Sequence, residues 1–298
     1  MEMVQRNIEV HPEVWSKLKI EAMEMNKNVR ELAGEILADY LESKKIKKEK
    51  KPKAIIIAAG VDTRLMPLTE DKPKCMLDVN GKTILQRQIE IFKQCGIDDV
   101  VVVRGYKKKS INYPGLRYYY NPNYRTNHVL GSLFSAETEM DDEFIAAYSD
   151  ILFTASAVEN LLKSAADICL CVDTGWQSRY VDRHQHPIEE AEKVVLQDGR
   201  VVKIGKSINP NEAHGEFVGL AKFSKTGAEI FQSNYKIAEK LFSNKPFHEA
   251  PVFRRAYFTD MIQELIDRGF VIDYVDVGGS WVEIDTHEDL QKAKKKFK

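Results

Sequence analysis

The 298-residue sequence predicts an α/β protein, a mostly parallel sheet covered by helices on both faces and preceded by a small strand-helix-helix module. Three observations carry that reading. From residue 54 onward, continuous Ile/Val runs alternate with helical patterns, as parallel strands buried on both faces require. A connector, Lys44-Lys45-Ile46-Lys47-Lys48-Glu49-Lys50-Lys51-Pro52-Lys53, holds seven lysines, one acid and a proline and has no apolar face to bury. The segment before it is well patterned but too short to close a core alone.

The elements follow in chain order. Val4, Ile8 and Val10 alternate with Gln5, Asn7 and Glu9, Arg6 being the exception, which reads as a strand. His11-Pro12 stops it, and Pro12 suits the first turn of a helix carrying Val14, Trp15, Leu18, Ala22 and Met25. Residues 26–28 break that helix. Asn28 can cap a second one, with Glu31 three residues on and Val29, Leu32, Ala33, Ile36, Leu37, Tyr40 and Leu41 at helical spacing. The module spans 1–45, the linker 46–53 and the large domain 54–298. In the large domain strands are expected over 54–59, 99–104, 144–148 and 167–173, and helices over 84–95 and 157–165. Ligands of such sheets sit beyond the carboxyl ends of the strands.

Composition excludes several classes. Lys plus Arg number 44 against 45 Asp plus Glu, so a net charge of −1 gives no global attraction to nucleic acid or acidic membranes. The longest apolar run, Ala54 to Val61, is eight residues with Gly60 inside it, far short of the roughly 20 that span a bilayer. Glu2, Arg6 and Glu9 do not fit a signal peptide, so a cytoplasmic location is expected. Cys75, Cys95, Cys169 and Cys171 have no metal-ligand spacing and read as reduced, buried thiols.

The order strand, helix, helix resembles the ribbon-helix-helix family, in which two chains pair their strands and interlock their helices. In that family the exposed ribbon face enters the DNA major groove. Here that face is Gln5, Asn7 and Glu9, and residues 1–43 hold five basic against nine acidic residues, a net charge of −4. Such a footprint suits a phosphate backbone poorly. Homodimerisation through residues 1–45 is therefore expected ahead of DNA binding or docking onto the large domain.

Chemistry concentrates after the first strand, in Ala58-Ala59-Gly60-Val61-Asp62-Thr63-Arg64-Leu65-Met66-Pro67-Leu68-Thr69-Glu70-Asp71-Lys72-Pro73-Lys74. Small residues let backbone N–H groups approach a ligand, and Arg64, Lys72 and Lys74 add three cations, as a polyphosphate site needs. The stretch is neither a dinucleotide fingerprint nor a P-loop. It resembles the signature of the nucleoside-diphosphate-sugar pyrophosphorylase-like nucleotidyltransferases. The resemblance continues through Leu77-Asp78-Val79-Asn80-Gly81-Lys82-Thr83-Ile84-Leu85 and covers essentially all of 53–298. It implies a Rossmann-like nucleotidyltransferase fold, a mostly parallel mixed sheet. The one departure in the loop is Asp62, where the family usually has glycine, and a carboxylate there is expected to repel phosphate.

What the resemblance implies is transfer of a nucleotidyl group from an NTP to a phosphorylated acceptor with release of pyrophosphate. Ala58, Ala59 and Gly60 line the nucleotide, and Arg64 and Lys74 are the catalytic cations where charge builds toward the β-phosphate, Lys72 being the weaker candidate. Mg2+ needs carboxylates at strand ends. Asp150, after the strand 144–148, and Glu283 and Asp285 in Trp281-Val282-Glu283-Ile284-Asp285-Thr286 match the family's metal positions, and the spacing of the last two puts both on one side of a strand.

Residues 121–133, from Asn121-Pro122 through Asn127-His128 to Ser132-Leu133, look like the base-recognition segment of the choline-phosphate and phosphonate cytidylyltransferase branch. CTP is expected on that ground, with Asn127 and Ser132 at the base and His128 where a second asparagine is common. The segment 173–183 looks like that branch's acceptor region. Arg179 and Arg183 suit a phosphonate or phosphate, and Trp176 and Tyr180 an aliphatic or ammonium head group or the core. Lys206, in Ile204-Gly205-Lys206, takes the acceptor phosphate by resemblance, and Asp173 and Glu216 complete the set. His184, His186 and His248 read as structural. The expected enzyme is a Mg-dependent cytidylyltransferase for CTP and a small phosphonate or phosphocholine-like acceptor. The alternatives are a sugar-1-phosphate nucleotidyltransferase using UTP or dTTP and, more distantly, a DNA-binding regulator with a nucleotide-sensing domain.

Overall fold

The computed structural model describes residues 9–46 and 51–297, which form two compact units that meet in sequence between residues 50 and 51. The strand expected over 4–10 lies outside the described residues except for Glu9 and Val10, which are irregular. In the first unit, α1 (Pro12–Glu24) opens on its proline, and Asn26 breaks the chain in the left-handed region, at φ 49°. Asn28 then accepts a hydrogen bond from Arg30 N at 2.9 Å as α2 (Val29–Ile46) begins. Among the described side chains of this unit Ala22 and Leu32 are the buried apolar ones, while Val14, Trp15, Ile20, Met23, Met25, Ile36, Leu37 and Tyr40 are exposed.

The second unit is built on a nine-stranded mixed sheet. Its strands are β1 (Lys53–Ala58), β4 (Val100–Arg104), β5 (Arg117–Tyr120), β6 (Phe144–Tyr148), β8 (Ile168–Asp173), β9 (Lys193–Gln197), β10 (Arg200–Gly205), β11 (Gly215–Phe223) and β12 (Asp273–Asp276). Two short ladders join β2 (Asp78–Val79) to β3 (Lys82–Thr83) and β7 (Ile151–Phe153) to β13 (Trp281–Glu283). The sheet order is β5-β4-β1-β6-β11-β8-β12-β10-β9. The first four strands are parallel, as their Ile/Val runs imply. The long β11, buried along its length, inserts antiparallel between β6 and β8 and makes the sheet mixed.

Successive residues of β1 and β4 feed opposite cores: Ile55, Ile57, Val101 and Val103 on one face, Ala54, Ile56, Val100 and Val102 on the other. The helices that cover them are α3 (Ile84–Gln94), the short α4 (Val129–Leu133), α5 (Ala155–Lys163), α6 (Lys225–Phe242) and α7 (Phe258–Asp267), and α8 (His287–Lys296) ends the chain. Thr83 caps α3 by accepting Gln86 N at 3.0 Å. A third cluster, in which Leu65, Leu77 and Ile84 meet Leu152, Ile284 and Leu290, seats the loop after β1 against the C-terminal segment. That packing decides where the chemistry lies.

Candidate active site

The loop after β1, the ends of β6 and β11, and the turn after β13 enclose a cavity of about 640 Å³. Gly219 opens its floor, because its φ of +83° and a clash of an added Cβ with the Tyr148 ring at 2.6 Å admit no side chain. On one wall stand the loop cations. Lys74 Nζ, deep inside, lies 2.9 Å from Asp62 Oδ2, 2.9 Å from Asp150 Oδ2 and 2.5 Å from Asp285 Oδ1. Arg64 Nη2 lies 2.8 Å from Asp285 Oδ2. Burial alone would lower Lys74, but Asp150, Asp285 and Asp62 hold its pKa well above the ordinary value.

The carboxylates opposite are positioned from behind. Pairing of β13 with β7 sets Glu283 beside Ile151, and Ile284 N donates to Asp150 O at 2.9 Å. Gln88, buried on α3, donates to Tyr148 O and Ile151 O, both at 2.7 Å, and so fixes the turn that carries Asp150. Asp289 caps α8 through Thr286, and its Oδ2 also accepts Asp285 N at 3.1 Å. Strand β13 ends at Glu283, yet Glu283 and Asp285 still line the same cavity. Burial would raise Asp285, but Lys74, His186 and Arg64 hold it far below the usual carboxylate range. Burial and the neighbouring Asp285 push Glu283 up. His186, Glu283 and Asp285 bring one ligand atom each within 4.8 Å of one another, and Asp150 Oδ1 is buried without a partner. An oxygen-rich set with an unpartnered carboxylate oxygen fits a hard divalent cation such as magnesium.

Toward the other end, Asn121 Nδ2 donates to Asn127 Oδ1 and to Ser132 Oγ, both at 2.9 Å, and Asn127 and Ser132 line the cavity with His128. Burial, with Lys206 and Arg255 nearby, lowers His128 to about 4, so the imidazole is neutral. The cavity is also lined by Glu190, Glu192, Lys206, Glu216, Arg255 and Tyr257. Lys206 Nζ is 3.2 Å from Glu190 and 5.2 Å from the Tyr257 ring centre. Glu192 accepts from Tyr148 Oη and is raised by burial to about 7. Glu216 accepts from Tyr180 Oη at 2.6 Å, and burial with Glu283 nearby raises it to about 8.

Residues 54–265 match the model of the MobA-like NTP transferase domain. The chain belongs to that family. It is a nucleotidyltransferase. It is 31% identical over 252 residues to CTP:phosphoglutamine cytidylyltransferase of Campylobacter jejuni, covering 80% of this chain and 97% of that one. It is 28% identical over 256 residues to a UTP–glucose-1-phosphate uridylyltransferase of Haloferax volcanii, covering 82% and 96%. The fold is shared with the solved CTP:phosphocholine cytidylyltransferase of Streptococcus pneumoniae, at a TM-score of 0.63 and 23% identity over 83% of this chain and all of that one.

Against the expectations from sequence, the nucleotidyltransferase cavity brings together Ala58, Gly60, Arg64, Lys74, Asn127, Ser132, Asp150, Lys206, Glu216, Glu283 and Asp285. Ala59 is buried behind its wall, and Lys72 lies outside the lining. Five expected acceptor residues lie outside the cavity lining, and their side chains have internal surroundings. Arg183 binds Asp289 at 2.7 Å and Glu283 at 2.9 Å. Arg179 donates to Trp281 O at 2.8 Å and stacks on the Trp281 ring. Asp173 accepts from Trp281 Nε1, Trp176 is buried, and Tyr180 is bound to Glu216. They form a layer that holds Glu216 and the Trp281–Glu283 strand. His186, read as structural, instead faces Asp285, its Nδ1 3.1 Å from Oδ2 but outside hydrogen-bond geometry. Gln88 gave no sequence signal, since it acts on Tyr148 O and Ile151 O, 60 and 63 residues away, and Arg255 lies in no motif that the sequence offered.

Proposed function

We propose that this nucleotidyltransferase moves CMP from CTP to a small phosphonate or phosphomonoester and releases pyrophosphate. The observation that carries the reading is the convergence of Arg64 and Lys74 with Asp150, Glu283 and Asp285 in one cavity that Lys206 and Arg255 also line. Arg64 and Lys74 hold the triphosphate and stabilise charge toward the leaving pyrophosphate. Lys206, with Arg255, holds the acceptor so that its oxygen faces the α-phosphorus in line. That oxygen is already anionic at neutral pH, so no general base is required. Magnesium would be held by Asp150, Glu283 and Asp285, and when bound it neutralises phosphate charge and fixes its orientation. The Asn121–Asn127–Ser132 cluster supports cytosine, because its amide and hydroxyl groups offer both donors and acceptors.

A pyrophosphate-release screen of CTP, UTP, dTTP, ATP and GTP, each against phosphocholine, aminoethylphosphonate and sugar 1-phosphates, tests the assignment. Turnover with CTP and a phosphonate or phosphocholine supports it. Turnover mainly with UTP or dTTP and a sugar 1-phosphate establishes the rival that the uridylyltransferase relative favours.

We further propose that residues 1–45 dimerise the enzyme. Among the described residues the two helices bury Ala22 and Leu32 while exposing Trp15, Ile36, Leu37 and Tyr40, so they need a second apolar surface, and a second copy supplies one. Sedimentation of the full chain at micromolar concentration should give a dimer, and Leu37→Glu a monomer with unchanged turnover.

A further inference from the structure

Asp62 stands in the loop after β1, at the position where the signature that this loop resembles has glycine, and its side chain is only 9% exposed. Its two carboxylate oxygens have different partners. Oδ1 accepts Arg64 N at 2.8 Å, a turn contact within the loop. Oδ2 plays no part in that turn; it lies 2.9 Å from Lys74 Nζ and 3.8 Å from Arg64 Nη2. Thr69 Oγ1 anchors the same residue by donating to Asp62 O at 2.8 Å. A fixed negative oxygen therefore faces both of the cations that the proposed function assigns to the triphosphate.

We propose that Asp62 is a built-in competitor of the polyphosphate, and the inference rests on the reading of Arg64 and Lys74 as phosphate ligands. The buried Lys74 ammonium needs a counter-charge whenever the site is free of nucleotide. Asp150 and Asp285 supply part of it, but Asp285 also faces Arg64 and His186, and both acids belong to the proposed metal set. Asp62 belongs to the loop and to no metal set, so its pairing with Lys74 is the one an arriving phosphate oxygen replaces. When pyrophosphate leaves, the pair re-forms. The charge of Asp62 thus weakens polyphosphate binding and speeds release of the product. No covalent bond is made or broken by it.

Asp62→Asn separates the two oxygens, since an amide oxygen can still accept Arg64 N while the charge is gone. Calorimetric titration of the full chain with tripolyphosphate, which has neither base nor acceptor, is the direct readout. The variant should bind tripolyphosphate and CTP tighter by the same factor, about tenfold for one partly screened unit charge. The KM for the nucleotide should fall with it, while kcat does not rise and pyrophosphate inhibits more strongly. Asp62→Gly, which restores the usual residue, should move affinity in the same direction. Unchanged affinity in both variants would reduce Asp62 to a turn residue, and weaker binding would make it a ligand-holding group; either overturns the proposal. Wild-type chain that binds no tripolyphosphate overturns the phosphate-site reading itself, a result separate from equal binding by wild type and variant.

Discussion

Two layers of the catalytic unit use the same residue types to opposite ends. Behind the cavity, the buried Asp173 and Asp289 and the half-buried Arg179, Tyr180 and Arg183 are paired with one another or with Trp281 and Glu216. At the cavity wall, Asp150, His186, His128 and Glu216 each keep a buried polar atom without a partner. These are four of the seven such atoms among the described residues, and buried polar groups are otherwise nearly always satisfied. The difference teaches that burial and charge do not separate the two layers. Unfilled bonding capacity does, and groups kept short of partners are available to a ligand.

The strongest test of that contrast is Asp285→Asn. Asp285 is held ionised by Lys74, His186 and Arg64, so the amide removes a charge on which three cavity groups converge. Turnover should fall by at least about 100-fold, the scale of losing one electrostatic contact in a transition state. Circular dichroism should stay native, because Asp289 holds the Asp285 backbone rather than its carboxylate. Near-normal turnover would remove Asp285 from the metal set and erase the contrast at its centre.

A paired experiment then sets one layer against the other. Arg183→Met strands Glu283 and Asp289, and breaking such a buried pair should destabilise by about 3 to 5 kcal/mol, lowering Tm by roughly 10 °C. Lys206→Ala, at a residue whose side chain is 30% exposed, should leave Tm within about 2 °C and raise acceptor KM roughly tenfold or more, with the nucleotide KM unchanged. If Arg183→Met instead raises acceptor KM at normal stability, Arg183 touches substrate and the two layers are one.

How far the sequence could reveal these layers depended on where the chemistry lay along the chain. The phosphate loop was legible because Ala58 to Lys74 is contiguous and its spacing is tied to the ligand. Trp281 to Thr286 was legible for the same reason, and the strand over 144–148 has those bounds in the structure. The setting of Arg179 and Arg183 was not legible, because a guanidinium suits a phosphate and an internal carboxylate equally. Arg183 pairs with Glu283 and Asp289, 100 and 106 residues further on, and Arg179 with Asp173 and Trp281 O. His186 and Gln88 were invisible on similar grounds, since Gln88 acts on Ile151 O, 63 residues away. The antiparallel insertion of β11 likewise follows from tertiary pairing, not from its buried apolar pattern.

The smallest expected effect sharpens the comparison at Glu216, which joins both layers: Tyr180 binds one oxygen from behind, and the other is unpartnered at the cavity. Burial and Glu283 raise its pKa to about 8, whereas an unfolded glutamate titrates near about 4.3. With the folded value raised, the folded chain holds a proton that the unfolded chain releases. The stability linked to Glu216 is therefore full below about pH 4.3 and is lost progressively as pH rises to about 8. Glu216→Gln stays neutral in both states and lacks that slope. In the presence of a chelator, the variant's Tm minus the wild-type Tm should grow between pH 5 and pH 8 and level off above it, by a few degrees in all. Parallel Tm profiles would mean that Glu216 is ionised in the folded enzyme and fully served by its neighbours, which would move it from the cavity wall to the satisfied layer behind.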